Sequence, residues 1–352
     1  HLGHVNFINR SSTKTDKLIV VVCHSSRDKK MCEEYGIPEI TVKDRLRWLH
    51  TIYQDIPHIE IRSLDESSIP AYPDGWKEFI GLLKETVPEK IDFIYSREPS
   101  YDSFFKELLP EAVHVLIDPE RAGYNVSGTQ IRENPYKNWE YLPSVVRPFF
   151  CKKVVLIGTE SCGKTTLTKF LAKAFNTSWA EEYGRNYVYE ECGGNEDNLK
   201  YEDYIKIAMH QKKLEDEAVR HSNKIVFIDT EAIVTQFYCK LYEGKEDPAI
   251  DEIIKRQNYD LWLYLENDVH WVDDGLRKNG SNEERNNGRK ILAELLEKHN
   301  ITDKIKIISG NYEERLNKAL EIIKGEFYNI EQIKNCFLRS SFLLYKFFTT
   351  KF

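Results

Sequence analysis

Short apolar runs alternate along the chain with longer stretches in which apolar residues recur every three or four positions. In the first half this pattern predicts strands at 17–22, 58–61, 91–95 and 113–117 and helices at 42–54 and 76–85. In the second half it predicts strands at 152–157, 224–228, 261–265 and 305–308 and a helix at 164–175. Strands that alternate with helices form parallel sheets covered by helices. The pattern therefore predicts the α/β fold class.

Two proline breaks divide the chain. Pro143 and Pro148 interrupt helical continuation just before a new strand opens, which places a boundary near residue 150. A length of 352 residues also suits two domains of roughly 100 to 200 residues each. We expect one domain at 1–149 and a second at 150–330, followed by an aromatic and basic tail at 331–352. The tail is either a terminal helix on the second domain, a non-native extension or a membrane-surface segment.

Composition narrows the choice of partners and compartment. There are 50 Lys and Arg against 57 Asp and Glu, a net charge of −7, so no bulk positive field recruits nucleic acid and no such partner is expected. The seven cysteines are scattered without a C-x-x-C pair, which favours reduced thiols and a cytoplasmic location. The apolar runs are far shorter than the roughly 20 residues of a membrane span. The first residues lack the pattern of a signal peptide.

The segment 158–165 matches the phosphate-loop pattern G-x-x-x-x-G-K-[ST] between a predicted strand and a predicted helix. Its glycines let backbone amides turn around phosphate oxygens. Lys164 neutralises the transferring phosphate, and Thr165 offers a hydroxyl to Mg²⁺. The candidate ATP cradle is Gly158, Thr159, Glu160, Ser161, Cys162, Gly163, Lys164 and Thr165.

Three later positions carry candidate chemistry around this loop. Asp229 ends an apolar strand where phosphate-loop proteins place an acid beside Mg²⁺, although it would also suit a turn or helix cap. Glu182 would accept a proton from an attacking hydroxyl and Arg185 would hold phosphate charge, unless both belong to a solvated charge cluster. Arg277, in the stretch 271–277, is expected in a lid over the triphosphate or in a surface loop.

The first domain holds a second candidate site. The chain opens with H-x-G-H, which contains His1 and His4 and also resembles the remnant of an affinity tag. Ser127 or Thr129 would cap a later helix, with Arg132 on the same face as Thr129. Imidazoles, hydroxyls and a guanidinium together would stabilise charge on the α- and β-phosphates while a nucleotide is transferred.

The order of these motifs resembles that of the NadR-type bifunctional family. The resemblance covers roughly residues 1–325 and rests on H-x-G-H, S-x-T-x-x-R, VVRPFF at 145–150, the phosphate loop, EYGR at 182–185 and WVDDGLR at 271–277. It implies a Rossmann-like nicotinamide mononucleotide adenylyltransferase domain followed by a phosphate-loop nicotinamide riboside kinase domain. The implied reactions are phosphorylation of nicotinamide riboside by ATP with Mg²⁺, then adenylyl transfer from ATP to nicotinamide mononucleotide, which gives NAD and pyrophosphate.

The resemblance also implies roles for single residues. His1 and His4 become the adenylyl-transfer histidines, while ATP phosphates are held by Ser127, Thr129 and Arg132. In the kinase half it implies a metal-side acid at Asp229, a lid arginine at Arg277, and ribose or phosphate contacts at Glu182 and Arg185. The general base stays open between Asp229 and Glu182. Stacking partners for the pyridinium ring are sought among Tyr183, Tyr187 and Tyr204.

Two departures from the family leave alternatives open. Members have a glycine-rich strand and turn before the histidine motif, which the printed sequence does not contain, so we expect an exposed sheet edge and damage to the adenylyltransferase site. Some members also carry an amino-terminal helix-turn-helix, and nothing here corresponds to it. One alternative is a kinase for another nucleoside beside a different nucleotidyltransferase, such as one for phosphopantetheine. Another is a regulatory NAD or ATP sensor without turnover. Formation of a homo-oligomer is also left open.

Overall fold

The computed structural model describes residues 1–268 and 282–327. Contacts divide the chain into two compact units, with the division between Val146 and Arg147. The sequence places the seam near residue 150, and the independence of the two domains stays a prediction. The predicted lid arginine, Arg277, and the tail at 331–352 lie outside the described residues.

The first unit is built from four short parallel strands and the helices between them. Its strands are β1 (Leu18–His24), β2 (Ile59–Asp65), β3 (Phe93–Ser96) and β4 (Val113–Leu116). Its helices are α1 (Leu2–Ser12), α2 (Arg27–Glu34), α3 (Val42–Tyr53), α4 (Trp76–Thr86), α5 (Asp102–Leu108) and α6 (Gly128–Glu133), with 3-10 turns at Pro99–Tyr101 and Trp139–Tyr141.

These strands form two separate two-stranded sheets. β1 pairs with β2 from Leu18 opposite Ile59, and β3 pairs with β4 from Phe93 opposite Val113. Within the described residues, β1 and β3 each have a ladder partner on one side only. A cavity of about 1130 Å³ is lined by both strands together with apolar side chains of α1 and α4. Among the described residues, β1 and β3 therefore each have one edge without a ladder partner, while the loss of a preceding strand stays a prediction.

Two modest apolar clusters hold the first unit together. One joins α1, β1, α3 and β2 through the buried side chains of Ile8, Leu18, Tyr53 and Ile59. The other joins β2 to α4 and α5 through Leu64, Trp76, Ile80, Leu83 and Phe105. Helix α3 begins at a capping box in which the Thr41 hydroxyl accepts from the amide of Asp44, which fixes where the helix starts.

The second unit contains one five-stranded parallel sheet. Its strands are β5 (Lys152–Ile157), β6 (Trp179–Ala180), β7 (Ile225–Asp229), β8 (Leu261–Leu265) and β9 (Ile305–Ile308), in the order β6-β7-β5-β8-β9. Its helices are α7 (Arg147–Phe150), α8 (Lys164–Phe175), α9 (Tyr183–Glu191), α10 (Tyr201–Arg220), α11 (Ala232–Glu243), α12 (Pro248–Arg256), α13 (Asn282–Lys298) and α14 (Tyr312–Glu326), with 3-10 turns at Glu196–Asn198 and Thr302–Lys304.

The central strands of this sheet are covered on both faces. Residues 154–157 of β5 are 0% exposed, as expected for a parallel sheet with helices on both sides. The ladder sets Leu156 of β5 opposite Asp229 of β7, so the carboxyl ends of these two strands lie side by side. This edge is where the loop after β5 begins.

The α/β class with parallel sheets is confirmed. The strands at 152–157, 261–265 and 305–308 and the helix at 164–175 have the predicted bounds. Strand β2 runs to Asp65, beyond the predicted end at residue 61, and helices α1 and α10 were not predicted. No helix among the described residues has the length and apolar character needed to cross a membrane.

Candidate functional site

The loop between β5 and α8 surrounds a buried ammonium group. Lys164 is 6% exposed, and its Nζ donates hydrogen bonds to the carbonyl oxygens of Gly158 at 3.0 Å and Thr159 at 2.9 Å. The Sγ of Cys162 donates to the same Thr159 carbonyl at 3.1 Å. A positive charge is thus held within the loop, where it can neutralise an anion bound by the loop amides.

Close packing at the start of the loop explains its first glycine. A methyl group at Gly158 would lie 2.8 Å from Cys162 Sγ and 2.8 Å from the carbonyl oxygen of Leu265. Both distances are shorter than any ordinary contact of a side chain carbon. Only glycine lets the backbone pass between the loop and the end of β8.

Arg315 of α14 binds the same loop through its guanidinium group. This side chain is 2% exposed, and its Nη1 donates to the carbonyl oxygen of Cys162. Its Nη2 donates to the Glu266 carbonyl at 2.8 Å and to the carboxylate of Asp268. The guanidinium therefore ties the phosphate loop to the end of β8, and sequence reasoning missed it because its partners are far away in the chain.

Asp229 is a buried acid beside the loop. It is 1% exposed, and burial and the charge of Glu182 raise its pKa to about 7, against the opposing effects of Lys164, Thr165 and Arg185. Both carboxylate oxygens lack a hydrogen-bond donor of good geometry within the described residues, although the Thr165 hydroxyl is near enough to favour the ionised form. Four other predicted residues, Glu182, Lys164, Thr165 and Arg185, thus act on the pKa of Asp229.

Asp229 and Thr165 offer two oxygen ligands for a metal ion beside the loop. No group of three His, Cys, Asp or Glu side chains forms a metal cluster within the described ranges. Mg²⁺, however, usually takes only one or two protein oxygens and fills its remaining positions with phosphate oxygens and water. A buried carboxylate without a donor and a neighbouring hydroxyl are a donor set that suits Mg²⁺.

Gln211 of α10 joins two strand ends at this site. It is 2% exposed, and its Nε2 donates to the carbonyl oxygens of Glu181 at 3.0 Å and Thr230 at 3.2 Å. Its Oε1 accepts from the amide of Tyr183 at 2.8 Å. Gln211 therefore fixes the spacing between the segment with Glu182 and the segment with Asp229. Its position in the middle of a helix gave no local signal.

A cavity of about 300 Å³ opens beside the loop. It is lined by the loop, by Glu182 and Arg185, and by the tyrosines Tyr204, Tyr238, Tyr242 and Tyr312. The rings of Tyr238 and Tyr242 are parallel within 7°, with centroids 6.1 Å apart, and the Tyr242 hydroxyl donates to Glu160 at 2.8 Å. Aromatic faces next to carboxylates suit a flat cationic ring.

The three tyrosines considered from the sequence have different surroundings. Tyr204 lines the cavity, is 2% exposed, and its hydroxyl has no hydrogen-bond partner within the described residues. Tyr183 stacks on His210 with ring centroids 3.8 Å apart. Tyr187 donates its hydroxyl to Asp203 at 2.7 Å and packs in an apolar cluster. Tyr204 is therefore the one of the three best placed to touch a ligand in the cavity.

The histidines of the first unit lie on one turn of α1. His1 is the N-cap residue, and the rings of His1 and His4 stack with centroids 3.9 Å apart. Burial lowers the pKa of His4 to about 4, helped by the guanidinium groups of Arg97, Arg121 and Arg132. The His4 imidazole is therefore neutral at pH 7 and faces an excess of positive charge.

Helix α6 has the predicted cap. Of the two alternatives, Ser127 is the N-cap, and its hydroxyl accepts from the amide of Gln130 at 3.2 Å. Thr129 instead lies next to Arg132, whose Nη2 is 3.5 Å from its hydroxyl. Arg132 also packs over the ring of Tyr35 at 5.6 Å. Arg132 is close enough to His4 to help lower the pKa of that imidazole.

Two further arginines near the histidines were missed from the sequence. Arg97 directly follows β3, and Arg121 lies in the turn after β4. Residues that follow the carboxyl ends of parallel strands are the usual site-forming positions of such sheets, and this was the available signal.

Comparison with known proteins gives one family and several relatives. The model of a family described as an AAA domain matches residues 153–315. The "Trifunctional NAD biosynthesis/regulator protein NadR" of Escherichia coli strain K12 is 39% identical over 330 residues, which covers 92% of this chain and 80% of that protein. The protein of the same name from Salmonella typhimurium strain LT2 has the same identity and coverage.

Solved structures agree over nearly the whole chain. A crystal structure of NadR protein in complex with NR superposes with a TM-score of 0.76 at 28% identity, covering 93% of this chain and 92% of that chain. A second, of NadR protein in complex with NAD and AMP-PNP, has a TM-score of 0.73 with the same identity and coverage.

Proposed function

The chain belongs to the NadR family of NAD-biosynthesis proteins, and from this premise we propose that it makes NAD from nicotinamide riboside in two steps that each use ATP. The second unit phosphorylates the 5′-hydroxyl of nicotinamide riboside. The first unit transfers the adenylyl group of ATP to the resulting mononucleotide and releases pyrophosphate. The observation that carries this proposal is 39% identity across 92% of the chain.

In the kinase step, the loop amides and Lys164 hold the phosphates of ATP. Glu182 lines the cavity and is the proposed base that accepts the proton of the attacking hydroxyl, with Arg185 on the transferring phosphate. Asp229 lies behind the loop and is not among the residues that line the cavity. This separation favours Glu182 as the base and Asp229 as the metal-side acid.

Mg²⁺ is the proposed metal, held by the Thr165 hydroxyl and the Asp229 carboxylate. When bound, it supplies neutralisation of phosphate charge. The carboxylate must be ionised for this role, and burial opposes that ionisation. Lys164, Thr165 and Arg185 favour the ionised form.

The tyrosine-lined cavity is the proposed site for nicotinamide riboside, whose pyridinium ring is a flat cation. Tyr238 and Tyr242 offer ring faces, and Glu160 lies within hydrogen-bond distance of Tyr242. The free hydroxyl of Tyr204 is a donor for the ribose. A volume of about 300 Å³ agrees with a nucleoside-sized ligand.

In the adenylyl-transfer step, His1 and His4 stabilise charge on the phosphate under attack. Ser127, Thr129 and Arg132 hold the other ATP phosphates. The six cysteines of the described part are free thiols, which agrees with a cytoplasmic location where ATP is available.

Product analysis tests both steps in the full chain. One reaction contains Mg²⁺, ATP and nicotinamide riboside, and a parallel reaction replaces the riboside with nicotinamide mononucleotide. We expect NAD from both. Formation of mononucleotide without NAD would support only the kinase step. Turnover of adenosine or phosphopantetheine, without turnover of the nicotinamide substrates, would replace the proposed substrates. Nucleotide binding without any product would favour a sensor.

A further inference from the structure

Arg97 is a buried cation with an incomplete set of partners. Its side chain is 10% exposed, and its Nε has no hydrogen-bond partner within the described residues. Its Nη2 lies 3.4 Å from Asp118, a carboxylate that also faces Arg10 at 3.5 Å. One carboxylate therefore serves two guanidinium groups. Arg10 is half-exposed, whereas the Arg97 guanidinium is largely shielded from water. A shielded cation with incomplete partners is costly unless an anion joins it.

The guanidinium lies against the turn that carries the histidines. A methyl group at Gly3 would be 3.5 Å from Arg97 Nη1 and 2.8 Å from His1 Nδ1. The Nδ1 of His1 is itself shielded and has no hydrogen-bond partner within the described part of the chain. Two unpartnered polar atoms, one on His1 and one on Arg97, thus occur beside the same backbone turn. Together they indicate a place for an anionic ligand.

A chain of three side chains fixes the turn from which Arg97 projects. Ser96 Oγ is 2.7 Å from His114 Nε2, and His114 Nδ1 is 3.2 Å from Asp102. The His114 side chain is 1% exposed, and Ser96 Oγ also accepts from the amide of Glu98 at 3.2 Å. In the tautomer that donates Nδ1–H to the carboxylate, Nε2 accepts from the serine hydroxyl, which also lies 3.4 Å from the carbonyl oxygen of Glu98. The backbone on both sides of Arg97 is therefore held.

We propose that Arg97 binds a phosphate group of the nucleotide in the adenylyl-transfer site, and that the chain Asp102–His114–Ser96 positions it. This inference rests on adenylyl transfer as the reaction of the first unit. Arg97 touches the substrate, whereas Ser96, His114 and Asp102 act through Arg97. Burial lowers the pKa of Arg97, which agrees with a guanidinium that has more to gain from an anion than from water.

Binding of inorganic pyrophosphate to the full chain tests the role of Arg97 without requiring turnover. The readout is the NMR titration of the His4 imidazole, assigned with a His4→Gln variant. The titration is repeated in Lys164→Ala, where the phosphate loop has lost its ammonium group, so that pyrophosphate bound at that loop is told apart from pyrophosphate bound at the histidine turn. In the parent chain we expect pyrophosphate to raise the pKa of His4, since it offsets the surrounding positive charge.

Arg97→Gln is expected to weaken pyrophosphate binding about ten- to a hundredfold, as for loss of a hydrogen bond to a charged group. Arg97→Lys keeps the positive charge but cannot donate two parallel hydrogen bonds to one phosphate, so it should bind pyrophosphate more tightly than Arg97→Gln and more weakly than the parent chain. The matched control is Arg47→Gln, which removes the same charge from an exposed position of α3 and should leave the dissociation constant unchanged. An unchanged constant in Arg97→Gln would overturn the proposal.

The positioning chain is tested by a double-mutant cycle. His114→Gln alone should weaken pyrophosphate binding less than Arg97→Gln does. Combined with Arg97→Gln, it should cause no further loss, because its effect passes through Arg97. Ser96→Ala provides the same test if His114→Gln does not fold, with nicotinamide riboside phosphorylation as the check on folding. Additive losses would contradict the positioning role.

Formation of NAD from nicotinamide mononucleotide and ATP separates this inference from the proposed function. The expected result for Arg97→Gln is a KM for ATP raised about tenfold or more with a smaller change in kcat. If the parent chain makes no NAD while pyrophosphate binding still depends on Arg97, the proposed function of this unit fails and the anion site stands. If NAD forms and Arg97→Gln changes neither the KM for ATP nor the dissociation constant of pyrophosphate, the proposed function stands and the role of Arg97 fails.

Discussion

The two units place their candidate nucleotide sites beside sheets that differ in how completely the strands are paired. In the second unit, β5 is paired on both sides, with β7 and β8, and its last four residues are fully buried. In the first unit, β1 and β3 each have one ladder partner among the described residues, and a cavity of about 1130 Å³ is lined by both. The phosphate loop therefore follows the fully buried end of a central strand, while the histidine turn lies on a helix beside an incompletely paired sheet.

This difference sets how each site is held. At the loop, Lys164 donates to two backbone carbonyls, and Gln211 and Arg315 also donate to backbone carbonyls of neighbouring segments. At the histidine turn, the contacts are mostly between side chains, such as the ion pair of Arg97 and Asp118. The geometry of a site held by backbone carbonyls is set by the fold. The geometry of a site held by side-chain contacts depends on the identity of each side chain. The two units should therefore respond differently to mutation and to amide hydrogen exchange.

The largest expected effect separates the two activities. Lys164→Ala should lower phosphorylation of nicotinamide riboside about a hundred- to a thousandfold, because one preorganised positive group at the transferring phosphate is lost. NAD formation from nicotinamide mononucleotide should stay within about twofold, because the variant leaves the side-chain network of the first unit intact. Steady-state rates of both reactions, measured on the same preparation, check this.

Lys173→Ala is the matched control, since Lys173 is an exposed lysine later in the same helix α8. It should change neither rate. A parallel fall of both rates in Lys164→Ala would mean that the two units do not act as separate sites. An unchanged kinase rate would instead favour the sensor interpretation.

The sequence predicted the buried sheet well and the site partners poorly. Strands β5, β8 and β9 have the predicted bounds because each has a short apolar run, interrupted only by lysines in β5 and β9. Arg315 and Gln211 escaped prediction because their contacts are set by the fold, with Arg315 153 residues from its partner Cys162. Tyr183 was considered for the ligand, yet it stacks on His210, a contact that no spacing in the sequence encodes.

A smaller effect is expected in amide hydrogen exchange. Amides of β1 that point away from β2 lack a ladder partner in the described residues, whereas β5 is paired on both sides. These β1 amides should exchange at least about tenfold faster than those at the centre of β5, because local opening there breaks fewer contacts. Exchange followed by mass spectrometry or NMR on the full chain measures the ratio, with β7 as a second buried reference. Equal protection of β1 and β5 would remove the contrast between the two sheets.

The smallest expected effect concerns stability at the metal-side acid. The folded state raises the pKa of Asp229 to about 7, mainly by burial, above its ordinary value of 3.8. Between these pH values the folded state binds more protons than the unfolded state, so this group makes the protein less stable as pH rises toward 7. Asp229→Asn removes that penalty and should raise the Tm of the second unit at pH 8 by about 2–4 °C without ligand.

The gain should shrink as pH falls toward 5, where Asp229 is already neutral in the folded chain. Scanning calorimetry at pH 5 and pH 8 measures it, with Asp303→Asn as the exposed control that shifts Tm at neither pH. A lower Tm for Asp229→Asn at pH 8 would show that the charged carboxylate is satisfied in the folded state without ligand. A higher Tm together with lost kinase activity would show that the buried Asp229 carboxylate lowers the stability of the second unit and is nevertheless needed for activity.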